Sequence, residues 1–173
     1  MFFLVDLERR IHMPPRQFNA KLTDSLTQRL MQEVEGSFAG RHGFVVMVVH
    51  LHEPIPHGEL DHTTGFAVFP LKYKALVFRP FKGEVLDSVV DKVTQHGFFA
   101  DAGPLKIFVS HHLLPPDMGY DAQAECWRSV DGNDLIAKDA SVRLRILGLK
   151  IEATEISATG SVRDDYLGTV DGG

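Results

Sequence analysis

The run Gly97-Phe98-Phe99-Ala100-Asp101-Ala102-Gly103-Pro104-Leu105-Lys106-Ile107-Phe108-Val109-Ser110 reads as two strands joined at the Gly103-Pro104 turn. In the second strand Leu105, Ile107 and Val109 alternate with Lys106, Phe108 and Ser110. A pleated strand sends successive side chains to opposite faces, so the three aliphatic residues share one face. In the first strand Phe98 and Ala100 pair with that apolar face, which leaves Phe99 and Asp101 on the other. If the aliphatic face is the inside, antiparallel neighbours place Phe99 and Phe108 together on an outer surface with Lys106 beside them. Large exposed aromatic rings are unfavourable unless a partner covers them. The competing reading seals one or both rings beneath another domain or beneath the polar segment 115–139.

Outward from this pair, a Val-rich strand is predicted over 83–94, and further strands over 141–150 and 154–162. The polar segment 115–139 separates them from the central pair. Five short strands with one long insertion predict a small antiparallel barrel of OB type. On such a barrel an outer aromatic face stacks bases of single-stranded nucleic acid, at about 1–3 kcal/mol per base. Arg143 and Arg145, two apart on a later strand, share a face and are placed to reach phosphates.

The first half reads differently. A strand over 2–11 stops at Pro14-Pro15. Leu22, Leu26, Leu30 and Val34 recur at every fourth position, the stripe of an amphipathic helix, and Gly36 stands where helices commonly end. The apolar run 44–51 behind Gly43 predicts a strand buried on both faces. Residues 52–65, with two Pro, two Gly and three His, predict an exposed loop. A long strand over 66–78 follows, with Leu71, Tyr73, Ala75 and Val77 on one face and Lys72 and Lys74 on the other. Pro70 within it marks a bulge or a locally unpaired position. The two halves meet near Arg79-Pro80. The expected architecture is therefore an α+β domain at 1–80 followed by an all-β barrel domain at 81–173.

Charge is divided between these domains. The net charge is −5. Residues 1–80 are close to neutral, with 9 Lys and Arg against 8 Asp and Glu, whereas residues 81–173 hold 9 against 15. Tight non-specific binding of nucleic acid needs a positive surplus, and each phosphate neutralised on a single strand adds a salt slope of only about 0.7. RNA bound by this barrel is therefore expected to rely on stacking and to be held weakly. The single Cys126 excludes an internal disulfide and fits a reducing compartment. No basic segment or small-residue cleavage site accompanies the apolar start Met1-Phe2-Phe3-Leu4-Val5, and the longest apolar run is far short of the roughly 20 residues of a membrane helix. A soluble intracellular protein without membrane contact is expected.

Catalytic readings fail on spacing. His57 and His62 share a loop with Glu53, Glu59 and Asp61, but in no metal-ligand pattern. A hydrolase built on that loop is the weakest of the functional readings. His111-His112 reads as a strand pair with diverging side chains. Asp164-Asp165 and Asp87/Asp91 have no base or nucleophile beside them, and Cys126-Trp127 lacks the setting of a nucleophile. No metal, cofactor or catalytic residue is expected.

Several strings carry a resemblance. Val34-Glu35-Gly36, Gly43-Phe44-Val45-Val46, Lys72-Tyr73-Lys74-Ala75 and Phe78-Arg79-Pro80-Phe81-Lys82-Gly83-Glu84-Val85 stand in the same order as in one family. So do Gly97-Phe98-Phe99, Gly103-Pro104-Leu105, Phe108-Val109-Ser110 and Asp164-Asp165-Tyr166-Leu167-Gly168. The chain closely resembles the seventh-subunit family of eukaryotic RNA polymerase II, to which the archaeal counterpart and those of polymerases I and III are related. The resemblance runs nearly end to end.

It implies a truncated ribonucleoprotein-like domain followed by an S1-type OB domain, and a non-catalytic nuclear transcription subunit. The implied partners are the fourth polymerase subunit, as a stalk heterodimer, the polymerase core near its RNA exit channel, and nascent single-stranded RNA. The implied core-docking tip falls on Pro15, Phe18, Gly58, Leu60 and Gly65, within 14–18 and 58–65. The implied RNA face falls on Phe99 and Phe108, with His96 just before the turn. Gly148 and Phe108 stand where S1 domains often carry Asp and His. A free-standing S1-type factor of translation or RNA decay is the alternative; it shares the second half and does not need the first.

Overall fold

The computed structural model describes residues 1–170, so the last three positions of the expected second domain lie outside the described residues. The chain divides into two compact units, the first spanning Met1–Arg79 and the second beginning at Pro80.

In the first unit, β1 (Phe2–Met13), β2 (Phe44–Leu51), β3 (Glu59–Leu60) and β4 (Ala67–Phe78) form one antiparallel sheet in which β4 lies between β1 and β2. Helix α1 (Leu22–Val34) buries Leu26, Leu30 and Val34. They pack with Ile11 and Met13 of β1 and with Leu71, Tyr73, Ala75 and Val77 of β4. The helix ends where the stripe ends: Gly36 has φ +76°, a left-handed conformation that glycine takes without steric cost. Pro70 faces Arg10 of β1, and on its other side it falls between the stretches of β4 that pair with β2 and with β3, so its missing N–H breaks no ladder there.

β2 departs from expectation. A strand buried on both faces is predicted there, yet only Val45 and Val48 are buried, while Val46, Met47 and Val49 are 40–46% exposed. Register shifts between Val45 and Met47 and between Val48 and His50 explain this. Each adds a residue to β2 and resets which side chains face the helix. The Glu35 carboxylate, at the end of α1, accepts a 2.8 Å hydrogen bond from the Val48 N–H within this bulged stretch.

In the second unit β5 (Val85–Thr94), β6 (Gly97–Ala102), β7 (Leu105–Ser110), β11 (Ser141–Ile151) and β12 (Ile156–Ser161) close into a five-stranded barrel. Its neighbours run β5-β6-β7-β12-β11 and return to β5. The barrel is not wholly antiparallel, contrary to expectation, because β7 and β12 are parallel. A closed ring with an odd number of strands cannot alternate direction throughout, so one neighbouring pair has to be parallel. Phe98, Ala100, Leu105, Ile107, Val109, Val142, Leu144 and Ile146 fill the interior with no exposed surface.

The segment 115–139, read from the sequence as a polar insertion, contains a three-stranded sheet of β8 (Met118–Asp121), β9 (Cys126–Ser129) and β10 (Leu135–Ile136). Cys126, Trp127 and Ile136 are buried, and the Trp127 indole N–H donates to the Thr94 carbonyl at 3.1 Å, tying the insertion to the end of β5. A last strand, β13 (Gly168–Thr169), adds to β11 beside Val142 and Arg143. Among the described residues no helix is long and apolar enough to cross a membrane.

Candidate nucleic-acid interface

Alternation along β6 and β7 builds the site. Phe98 faces Val109, and Ala100 faces Ile107, all inside the barrel. The intervening pair Phe99 and Phe108 therefore projects outward from directly opposed positions. Their ring centroids lie 4.8 Å apart at 42°, Phe99 is 42% exposed and Phe108 is half-buried. That tilted geometry lets each ring support the other while leaving ring surface open to a ligand.

A shallow groove of about 450 Å³ adjoins the pair, lined by Phe99, Phe108, Gly148, Leu149, Lys150 and the Ser157–Thr159 segment of β12. Thr159 lies beside Phe108 in the ladder, and Gly148 lies beside Thr159 on β11. Gly148, where an Asp is common in S1 domains, keeps the groove free of a carboxylate there. Lys106 projects outward two residues along β7 from Phe108, opposite Asp101. Lys150 is exposed at the rim, and its ammonium is held above its ordinary range by the Glu152 carboxylate, 2.6 Å away.

Lys92 escapes a reading by sequence alternation. It pairs with Phe99 and is exposed on the same outer surface. Plain alternation from the buried Val90 would turn Lys92 inward, but a register shift between Val90 and Lys92 reverses the parity. The row across the barrel is thus Lys92, Phe99, Phe108, Thr159: one cation, two rings and a hydroxyl.

His96 is exposed in the β5–β6 turn, with its ring beside the Gln95 amide. Arg143 and Arg145 share the outward face of β11, and each is paired there with a carboxylate. Arg143 donates to both carboxylate oxygens of Asp87, at 2.6 and 3.0 Å, and Arg145 donates to Asp164 at 2.7 Å. Neither lines the groove. The Arg143 guanidinium in turn holds the Asp87 carboxyl below its ordinary range.

On the first unit, the five residues assigned to a docking tip gather at one end of the sheet. Gly58 lies against the Phe69 ring, where a Cβ would come within 2.7 Å of it, and Gly65, with φ +74°, lies near Pro15. Phe18 and Leu60 are 44% and 54% exposed. The 58–65 segment is an ordered turn rather than a loose loop. Asp61 accepts from the Thr63 N–H at 2.9 Å and the Thr64 hydroxyl at 2.8 Å, and these bonds hold its carboxyl below the ordinary range. His57 and His62 of the same stretch are exposed, while His52 contacts Asp6 on β1 at 2.9 Å. Among the described residues no group of three or more His, Cys, Asp or Glu is placed to hold a metal ion. The same unit exposes a second apolar set: Phe2 and Leu4 of β1, 58% and 62% exposed, with Val46, Met47 and Val49 of β2.

Comparison with known proteins bears on both units. Residues 79–159 match the S1 RNA binding domain family. The chain is 49% identical to DNA-directed RNA polymerase II subunit rpb7 of Dictyostelium discoideum, over 98% of this chain and 99% of the relative. It is 48% identical to DNA-directed RNA polymerase II subunit RPB7 of Glycine max, over 98% and 97%. Its identity to the RPB7 of Saccharomyces cerevisiae is 37%, over 98% and 100%. An α+β unit followed by an S1-type OB barrel, matched from end to end at these identities, places the chain in the RPB7 family of RNA polymerase II subunits.

Proposed function

We propose that the chain is a non-catalytic, nuclear subunit of RNA polymerase II whose barrel guides single-stranded nascent RNA. The observation that carries the RNA part is the outward, solvent-accessible pairing of Phe99 and Phe108 within an S1-type barrel, with Lys92 and Lys106 beside it. Aromatic stacking is sequence-tolerant, because every base has a π-face, and this suits a subunit that meets every transcript. The acidic balance of the second half keeps that contact weak and mobile.

The first unit serves assembly. Its 58–65 turn, with Pro15, Phe18 and Leu60, docks on the polymerase core beside the RNA exit channel. A heterodimer with the fourth subunit completes a stalk. The exposed Phe2, Leu4, Met47 and Val49 support this reading, since such a set on a single chain is unfavourable in water until a protein partner covers it. Relatives that match both units over nearly their whole length weigh against a free-standing S1 factor, which would not need the first.

Affinity purification of the tagged chain from nuclear extract tests the assignment. Polymerase II core subunits and the fourth subunit should be recovered together with it. Recovery of the chain alone, or with ribosomal or decay factors in their place, overturns it.

A further inference from the structure

The Phe99–Phe108 groove gives the barrel one stacking site for RNA, and on that reading rests a second. We propose that His111 and His112 form a further base-stacking step for single-stranded RNA leaving the Phe99–Phe108 groove. Adjacent residues of a strand diverge, which is the arrangement their sequence predicts. The two histidines instead occupy a 3-10 turn, His111–Leu113, directly after β7. There the rings lie against each other with centroids 3.7 Å apart at 40°, and both residues are exposed. The arrangement is a ready-made two-ring stack with accessible surface.

The turn is held in place from three sides. The His111 N–H donates to the His96 carbonyl at 2.9 Å. The Leu113 carbonyl accepts from the Val162 N–H at 3.1 Å and from the Ser161 hydroxyl at 3.4 Å. Leu114, the next residue, is 3% exposed and anchors the turn in the interior. A platform fixed in this way loses little side-chain freedom when a base lands on it.

Between the two ring pairs the ladder step is Gly97 opposite Ser110, which puts only a hydrogen and a hydroxymethyl group in the way. Val109 and Ser110 lie between Phe108 and His111, so the two are three residue rises apart, roughly 10 Å of strand. An RNA strand stacked on the phenylalanines therefore meets small side chains and then a second pair of rings. The ligand class is single-stranded nucleic acid longer than the phenylalanine groove alone engages, recognised without base identity.

The test compares fluorescein-labelled oligouridylates of three and of eight nucleotides on the full chain, by anisotropy at low salt. The wild type is measured beside three double variants: His111→Ala with His112→Ala, His111→Phe with His112→Phe, and Phe99→Ala with Phe108→Ala. The alanine pair at the histidines should weaken the long oligonucleotide by about fivefold or more and leave the short one unchanged. The phenylalanine pair should keep most of the wild-type affinity, because stacking needs a ring and not an imidazole. If the histidine-to-alanine variant binds the long oligonucleotide like wild type while Phe99→Ala/Phe108→Ala weakens both lengths, the second step is wrong and the groove stands. If the phenylalanine replacements lose as much as the alanines, the rings do not act by stacking and the inference falls. If Phe99→Ala/Phe108→Ala also changes nothing, the RNA reading of the barrel fails with it.

Discussion

Arg143 and Asp87 meet across β11 and β5 in a bidentate pair, Nε donating to Oδ1 at 2.6 Å and Nη2 to Oδ2 at 3.0 Å. A guanidinium committed in this way is a poor phosphate ligand, since a phosphate would have to displace a carboxylate already matched to the fork. Arg143→Ala should therefore leave the salt dependence of RNA binding unchanged. A residue that neutralised a phosphate would take about 0.7 from the slope of log affinity against log salt. Binding isotherms at several salt concentrations check this.

The same pair has a pH signature. The folded carboxyl of Asp87 titrates below its ordinary 3.8 because Arg143 hydrogen-bonds and attracts its charged form. A depressed folded pKa contributes stability that is present above the unfolded value and is lost as pH falls through the folded one. The difference in melting temperature between wild type and Asp87→Asn should thus hold from neutral pH down to about pH 4 and then shrink on further acidification. Both partners are largely solvent-exposed, so the difference is small throughout. Thermal melts at closely spaced pH values measure it.

Phe98 and Phe99 are neighbours with opposite work. Phe98 has no exposed surface and fills the barrel, whereas Phe99 is 42% exposed. Phe98→Ala should lower unfolding free energy by about 3–5 kcal/mol, the transfer cost of the ring plus the cavity it leaves. Phe99→Ala should cost little stability and act on RNA affinity. Urea unfolding of the two variants in parallel separates the roles.

Gly97 stands where no other residue fits. Its φ is +141°, and a Cβ added there would overlap the Val109 carbonyl oxygen. Gly97→Ala should destabilise the barrel by at least about 1–3 kcal/mol from backbone strain alone. It should also weaken RNA binding, because the β6–β7 register that opposes Phe99 and Phe108 is set at this step. A variant as stable as wild type in chemical denaturation would contradict the account of the turn.

What the sequence made legible was whatever depends on local periodicity. The alternation of Leu105, Ile107 and Val109 with Lys106 and Phe108 gave both the barrel interior and the ring pair, and the four-residue stripe from Leu22 to Val34 gave the helix within a residue. Periodicity fails where a bulge resets it. The shifts around Val46, Val49 and Asp91 turned a strand expected to be buried into an open one, and hid Lys92 from the binding row. It fails again where the deciding partner is remote. Asp87 lies 56 residues from Arg143, and nothing near either residue announces the pair. The insertion sheet was hidden by its brevity, since strands as short as Leu135–Ile136 carry no readable alternation. Trp127, whose indole hydrogen bond fixes the sheet to Thr94, was its one conspicuous marker.

The most direct measurement is the affinity of single-stranded RNA for the full chain before and after Phe99→Ala with Phe108→Ala, with circular dichroism confirming that both proteins are folded. Losing two stacking contacts of about 1–3 kcal/mol each should weaken binding by at least tenfold. Unchanged affinity in a folded double variant would contradict the claim that these two rings are the surface on which the transcript runs.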